Sequence, residues 1–523
     1  MKKVINVLQF VRGCEPRAPK IDLYEPMRGH IGLLRKYGFC GTFLLQYDAL
    51  IDPRFVALAR EAQPIAEIGL WLEVVEPLAE RAGVAWKGRF PWDWESNRGT
   101  LIAYTPSERR KMLDVAVHTF QETFGYTPKS VGAWVLDAVS LQYLQETYGI
   151  SAACNCVNQY GTDGYTLWGG NTVAYYPSRK NILSPAQTAE NQIGVPVFRM
   201  LGADPIYQYD WYLRDGMGIV TLEPSLSLWK KPGGGYDKDW IEWFFCETYN
   251  DKTGTPFVYA QAGQENSFGW DSMKDGLRLQ CEKIAKLRDR GQIETLTLSQ
   301  TGDWFREHYS LTPVLSQTAM TDWRGEGQKS VWYNSRYYRV NLFLKDTALG
   351  IRDCYLFDEN YPERYLSEKC ETPACTFDTL PLWDGMRQSM GKESALLRLC
   401  DEYGEPLTVK EFTYSQEGDV GICTVKTGNG EFKIECHSRR LSFYSECKTE
   451  FMLIGDMGKK VPDFAVTVKS DRAECVYRGY SYRVFVRKGT LCVNRAISEK
   501  GVLEIAFTRR EECKENLRLI RCL

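Results

Sequence analysis

The sequence predicts an α/β fold: a parallel strand–helix barrel followed by a β-sandwich. Three observations carry this. Apolar runs of strand length, beginning with Val4 to Val11, alternate with amphipathic helical stretches over roughly the first 310 residues. From about Trp323 helical periodicity fades, and alternating strands with tight turns take over. At 523 residues the chain exceeds one ordinary domain. The expected division is a barrel over 1–320, with a loop-rich region at about 157–250, and a β-rich domain over 321–523.

Val4 to Val11 is uninterrupted and apolar, which suits a strand covered on both faces. Met27, Ile31 and Leu34 have helical spacing over Tyr24 to Tyr37, and Gly38 gives the stop. Cys40 to Leu45 is the second strand, Pro53 to Ala62 a helix, and Ala66 to Leu72 the third strand. A loop with Trp86, Trp92, Asp93 and Trp94 leads to a helix over Pro106 to Phe124, closed by Gly125. Val131-Gly-Ala-Trp-Val-Leu-Asp137 reads as a buried strand with a carboxylate where the next helix, Ala138 to Tyr148, begins. Ile150 to Cys154, Val195 to Met200, Pro256 to Gln261 and Ile293 to Leu298 supply further strands, and Ser272 to Arg290 a long helix. In the β-rich part, Gly421 to Thr427 and Glu431 to Cys436 flank Gly428-Asn429-Gly430, which is hairpin turn chemistry.

A net charge of −2 gives no electrostatic case for nucleic acid or an anionic membrane as partner. No run approaches the ~18 apolar residues of a membrane helix. The 17 cysteines are odd in number and lack zinc-type spacing, which suggests a reducing, cytoplasmic setting. The first residues read as a strand, not a signal peptide. Oligomeric state leaves no trace in the sequence. Phosphate-loop, dinucleotide-binding and G-x-S-x-G patterns are absent in the strand–helix frames they need.

Carboxylates cluster at predicted strand ends: Asp48, Glu73, Asp137, Asp204 and Glu265, with Glu15 just past the first strand. Catalytic groups of parallel α/β barrels sit at these ends, and glycosidases need two carboxylates. Nearby Trp71, Trp92, Trp168 and Trp270 can wall sugar subsites, while Arg12, Asp93, Asn155, Gln264 and Asn266 can bind hydroxyls. The competing reading is that these acids cap helices or pair with Arg12, Arg17, Arg89 or Arg199.

Over residues 1–310 the order of elements resembles the glycoside hydrolase/deacetylase superfamily of irregular (β/α)7 barrels. Gly132-Ala-Trp-Val-Leu-Asp137 is similar to the Gly-x-Trp-x-x-Glu pattern of glycoside hydrolase family 57, and Glu265-Asn-Ser-Phe-Gly-Trp270 resembles its later acid-bearing motif. The resemblance implies Asp137 as nucleophile, with Asp for the family's Glu, and Glu265 as acid. Gln9-Phe-Val-Arg-Gly13 resembles the deacetylase strand Thr-Phe-Asp-Asp-Gly, but has Val11 and Arg12 where the two acids belong. Glu67-Ile-Gly-Leu-Trp71 resembles the deacetylase strand Glu-Ile-Gly-x-His, with Trp71 and Val75 at the two metal-His positions. The whole chain is also similar to a family of bacterial two-domain proteins without assigned activity. The expectation is therefore a glycosidase acting on an oligo- or polysaccharide through a carboxylate pair, with no metal and no cofactor. One alternative is a carbohydrate-binding protein on a barrel that has lost its chemistry. Another is a hydrolase of other linkages using Glu73 or Asp204.

Overall fold

The computed structural model describes residues 1–156, 169–209, 220–225, 234–389, 391, 393–455, 461 and 463–507. Trp168 and the glycine-rich loop at 231–233 lie outside the described residues. The chain divides into two compact units. The first comprises Met1–Tyr249, Phe257–Thr312 and Asp358–Asp378; the second comprises Asn250–Pro256, Pro313–Phe357 and Thr379–Leu523.

The first unit is built on parallel strands β1 (Lys2–Val11), β2 (Gly41–Leu45), β3 (Ala66–Trp71), β4 (Ser130–Ala133), β5 (Ala152–Asn155), β6 (Val197–Arg199) and β7 (Phe257–Ala262). Their spatial order is β7-β1-β2-β3-β4-β5-β6. A backbone bond from Gly202 N–H to the Gln261 carbonyl, 3.2 Å, links the far edges and nearly closes the barrel. The main helices are α1 (Tyr24–Tyr37), α2 (Pro53–Ala62), α3 (Pro106–Phe124), α4 (Ala138–Tyr148), α5 (Lys238–Thr248), α6 (Trp270–Asp289) and α7 (Leu298–His308).

Local chemistry fixes these elements. Gly38 ends α1 with φ 65°, a left-handed conformation that a side chain would strain. Thr105 and Glu108 form a reciprocal capping box at the start of α3, with Pro106 in its first turn. The start of α7 plugs the N-terminal end of the barrel. There Asn6 Nδ2 donates to the Leu296 carbonyl and Thr301 Oγ1, both at 2.7 Å, and Ser299 N–H donates to Glu67 at 2.9 Å. Nearer the C-terminal ends, Phe10 stacks on Trp71 at 3.9 Å, and Trp134 meets both edge-on. Barrel floor and wall are thus packed, and only the strand ends are left to form a site.

Two expected strands are shorter than the sequence suggested. The fourth stops at Ala133, because Trp134 turns into the barrel while Val135 and Leu136 continue as buried coil. Of Ile293 to Leu298, only Glu294–Thr295 pairs, alongside β1.

The second unit consists of two antiparallel sheets among the described residues. Phe451 of one sheet packs on Phe432 and Phe443 of the other, at 5.6 and 6.5 Å, forming a sandwich core. The expected hairpin is present: Val420–Thr427 pairs with Gly430–His437 across a Gly428-Asn429 turn, and Gly430 takes φ 120°.

Candidate functional site

Three strand ends converge on one guanidinium. Arg12 follows β1 directly, Glu73 follows β3, and Glu265 follows β7. Arg12 Nε and Nη2 donate to the two oxygens of Glu73 at 2.9 and 3.0 Å, a bidentate pair. Its Nη1 lies 2.8 Å from Glu265 Oε2 and 3.9 Å from Glu15 Oε2, and donates to Ser267 Oγ at 3.1 Å. Two rings pack against the guanidinium: its carbon lies 4.0 Å from the Trp92 centroid and 5.4 Å from that of Phe10. Arg12, Glu15, Glu73 and Glu265 are between 2 and 6% exposed, so these charges interact with little help from water.

A second arginine completes the group. Arg17 Nε and Nη2 hold Glu15 at 2.8 and 2.7 Å, and Nη2 lies 3.9 Å from Glu265. The Arg17 guanidinium covers Trp92 and Trp94 at 4.9 and 5.5 Å. Three carboxylates thus face two guanidiniums. Burial raises the Glu73 carboxyl above its usual range, outweighing its bonds to Arg12. Burial also pulls Glu15 upward, but its bonds and charge interaction with Arg17 prevail and hold it below the usual range.

The backbone is shaped to bring these groups in. Gly263, at φ 113°, lies so close to β1 that a Cβ there would meet the Leu8 carbonyl oxygen at 1.7 Å. Only glycine allows the turn that delivers Gln264, Glu265 and Asn266. Gln264 Oε1 accepts from Glu265 N–H at 2.9 Å. Asn266 clamps the end of β1, accepting from Arg12 N–H and donating to the Arg12 and Leu23 carbonyls, all within 2.9 Å. Asp48 accepts from Gly13 and Ala49 N–H and from Gln46, and burial raises its carboxyl. A cleft of about 410 Å³ borders the cluster, with Glu15, Gly13, Cys14, Ile21, Arg54 and Phe55 in its wall.

The remaining sequence candidates are held elsewhere. Asp137 is fully buried as the N-cap of α4. Its Oδ1 accepts from Arg109 Nη1 at 3.1 Å and Ser140 N–H at 2.9 Å, and Oδ2 accepts from Ser140 Oγ at 2.7 Å. Both oxygens are therefore engaged in capping and ion pairing. Beside it, Glu363 accepts from Ala138 and Ile182 N–H at 3.0 and 2.8 Å. Among the described residues no hydrogen bond or ion pair joins Asp137 to Glu265. Asp93 chelates Arg89 through Nε and Nη2, both at 2.8 Å, and so ties the tryptophan loop. Asp204 caps a turn at Ile206 and Tyr207 N–H and accepts from Trp240 Nε1 at 3.0 Å. Asn155 is buried at the end of β5. Trp71 is barrel core, Trp92 packs on guanidiniums, and the half-buried Trp270 packs over Gly29 of α1.

Two members of the cluster carry no site signal in the sequence: Arg17 reads there as a pairing partner, and Ser267 sits inside the Glu265 motif, its hydroxyl donating to Glu265 Oε1. Arg109 and Glu363 carried no signal, since their partners lie far along the chain.

A deacetylase-type metal centre does not fit these residues. The positions that resemble its ligands hold Val11, Arg12, Trp71 and Val75, and a guanidinium already occupies the middle of the carboxylates. No group of three or more His, Cys, Asp or Glu side chains placed to hold a metal occurs among the described residues.

The fold has known counterparts. A crystal structure of a candidate glycoside hydrolase/deacetylase from Parabacteroides distasonis superposes over 76% of this chain and 94% of its own, with TM-score 0.56 and 14% identity. At that identity the likeness is one of fold. A candidate polysaccharide deacetylase from Mycobacterium smegmatis (13% identity, TM-score 0.36) covers 59% of this chain and 91% of its own. A second candidate polysaccharide deacetylase, from Pseudomonas aeruginosa PAO1 (11%, TM-score 0.34), covers 58% and 91%. Residues 93–220 match a domain family of unknown function with a solved structure, DUF3863. No curated protein matches the chain by sequence.

Proposed function

We propose that the protein is a carbohydrate-active hydrolase whose working carboxylates are Glu265, Glu73 and Glu15 rather than Asp137. The observation that carries this reading is the convergence of three buried acids on Arg12 at the C-terminal ends of barrel strands, beside a cleft of about 410 Å³. Arg12 takes both oxygens of Glu73, whereas Glu15 and Glu265 both face Arg12 Nη1 and Arg17. In this reading Glu265, positioned by Ser267, protonates the leaving oxygen, and Glu15, on the cleft wall, stays ionised as nucleophile or base. Glu15 and Glu265 both face Arg12 Nη1, which keeps those oxygens within about 7 Å of each other, a separation compatible with glycosidic chemistry. The oligo- or polysaccharide substrate class rests on the barrel type. Family 57-like activity rests on the Glu265 motif.

A non-catalytic carbohydrate-binding protein is the second reading. One observation favours it: each of the three acids already has a guanidinium partner. A glycan panel scored for binding and for product release separates the two, using the wild type, Glu265→Gln and Asp137→Asn. The hydrolase reading expects turnover to fall about a thousandfold in Glu265→Gln while binding persists, and to survive in whatever Asp137→Asn folds. Binding without turnover in the wild type supports the second reading.

A further inference from the structure

We infer that Arg12 is the resident cation of the barrel site, standing in the place of a divalent metal ion and shutting such ions out. The argument starts from charge. Glu15, Glu73 and Glu265 are all nearly inaccessible to water, and buried carboxylates must be neutralised, paired or coordinated. In this barrel the balancing charge is covalently attached. It sits on the residue that, in the resemblance of Gln9-Phe-Val-Arg-Gly13 to the deacetylase strand, stands where the second acid belongs.

Geometry supports the same assignment. A divalent ion on carboxylates needs oxygens around it at about 2.0–2.6 Å. Here the carboxylate oxygens stand 2.8–3.0 Å from guanidinium nitrogens, arranged around the edge of a planar group. Two aromatic rings stand close to the guanidinium, Trp92 at 4.0 Å and Phe10 at 5.4 Å from its carbon, where further metal ligands would be needed. Asn266 fixes the Arg12 backbone through both its N–H and its carbonyl, and the bidentate pair with Glu73 holds the guanidinium in place. Arg12 acts through the acids it holds and is therefore a positioning residue.

This inference does not rest on the hydrolase reading, because its readouts are ion binding and stability. Titration of the purified wild type with Mn²⁺, followed by calorimetry and the electron paramagnetic resonance of the free ion, should show no stoichiometric binding at the cluster. Neither EDTA nor millimolar Mn²⁺ should shift the melting temperature. Arg12→Ala leaves three acids facing Arg17 alone. It should take up about one equivalent of Mn²⁺, at least tenfold tighter than any wild-type binding, with a rise in melting temperature on adding the ion. Arg12→Lys keeps the charge and should remain closed to it. Wild-type uptake of one equivalent that disappears in Glu265→Gln would overturn the inference, and this arm needs no Arg12 variant to fold. A folded Arg12→Ala that binds no divalent ion would overturn it equally.

Discussion

The first unit contains two buried arginine–carboxylate groups that differ in where the arginine sends its donors. Arg12 turns to side chains: it donates to both oxygens of Glu73 and to the hydroxyl of Ser267, and ion-pairs with Glu265. Arg109 pairs with Asp137 but spends the rest on backbone carbonyls of Leu101, Tyr104, Tyr365 and Glu368. Tyr365 and Glu368 belong to the stretch Asp358–Asp378, which leaves the β-rich part of the sequence and returns to the barrel unit. Glu363 grips Ala138 and Ile182 N–H from the same stretch, and Glu359 accepts from Gln187 and Thr188 N–H at 2.7 and 2.9 Å. Arg109 therefore staples chain segments together, whereas Arg12 organises acids around a cleft. An arginine surrounded by carbonyls is architecture; one surrounded by an excess of acids is a candidate site.

The sharpest test of that contrast removes one acid from the staple. Asp137→Asn leaves Arg109 buried without its anionic partner and weakens the cap of α4. Breaking a buried pair from one side costs about 3–5 kcal/mol. Urea unfolding should report a loss of that size. A loss below about 1 kcal/mol would break the comparison, because the Arg109 group would then not be structural.

The two groups also predict a pH signature, once a lone buried histidine is separated out. His30 of α1 is buried against Phe43, and burial alone pushes its pKa down to about 4. The folded state keeps the ring neutral down to about pH 4, while the unfolded chain takes a proton near its ordinary 6.5. Stability should fall as pH drops from about 6.5 to 4, by about 3 kcal/mol in all, and His30→Leu should remove that slope. Glu363 has the opposite sense. Burial first, and then the charge of Asp137, push it up to about 8. The folded state holds this proton where the unfolded chain, at about 4.5, has lost it. Its contribution is full below about pH 4.5 and is lost as pH rises to about 8. Thermal melts across pH should show that alkaline-side decline flattened by Glu363→Gln. If Glu363→Gln leaves the profile unchanged, the carboxyl is ionised in the folded protein and the staple carries more charge than this comparison allows.

What the sequence revealed follows the range of the forces involved. Helices were legible where their signals are local: Gly38 closes α1, and Thr105, Pro106 and Glu108 open α3. The Gly428-Asn429 hairpin turned on two residues. The apolar run to Asp137 misled, because Trp134, Val135 and Leu136 are buried without being paired, and hydrophobicity reports burial rather than hydrogen bonding. Strand ends pointed correctly to where acids gather, since the register of a parallel barrel is set by its strands. Which acid meets which arginine was not legible. Arg12 and Glu73 are 61 residues apart, and Arg109 and the Tyr365 carbonyl 256. A charge after a strand looks the same in sequence whether it faces solvent, a helix end or three carboxylates.

The smallest expected effect tests the acid excess itself. In the Arg12 group three carboxylates share two guanidiniums, so neutralising one acid relieves repulsion while Arg12 keeps Glu265. The raised carboxyl of Glu73, for which burial outweighs the attraction of Arg12, means that its charge is held at a cost. Glu73→Gln keeps the volume and can still accept from Arg12 through its amide oxygen. Its loss of stability in urea should stay within about 1 kcal/mol, well short of the 3–5 kcal/mol expected of a broken buried pair. A gain would support the argument further, because functional groups of like charge are commonly retained against stability. A loss as large as that of Asp137→Asn would mean that Arg12 is a second staple, and the functional reading of the cluster would then rest on the cleft alone.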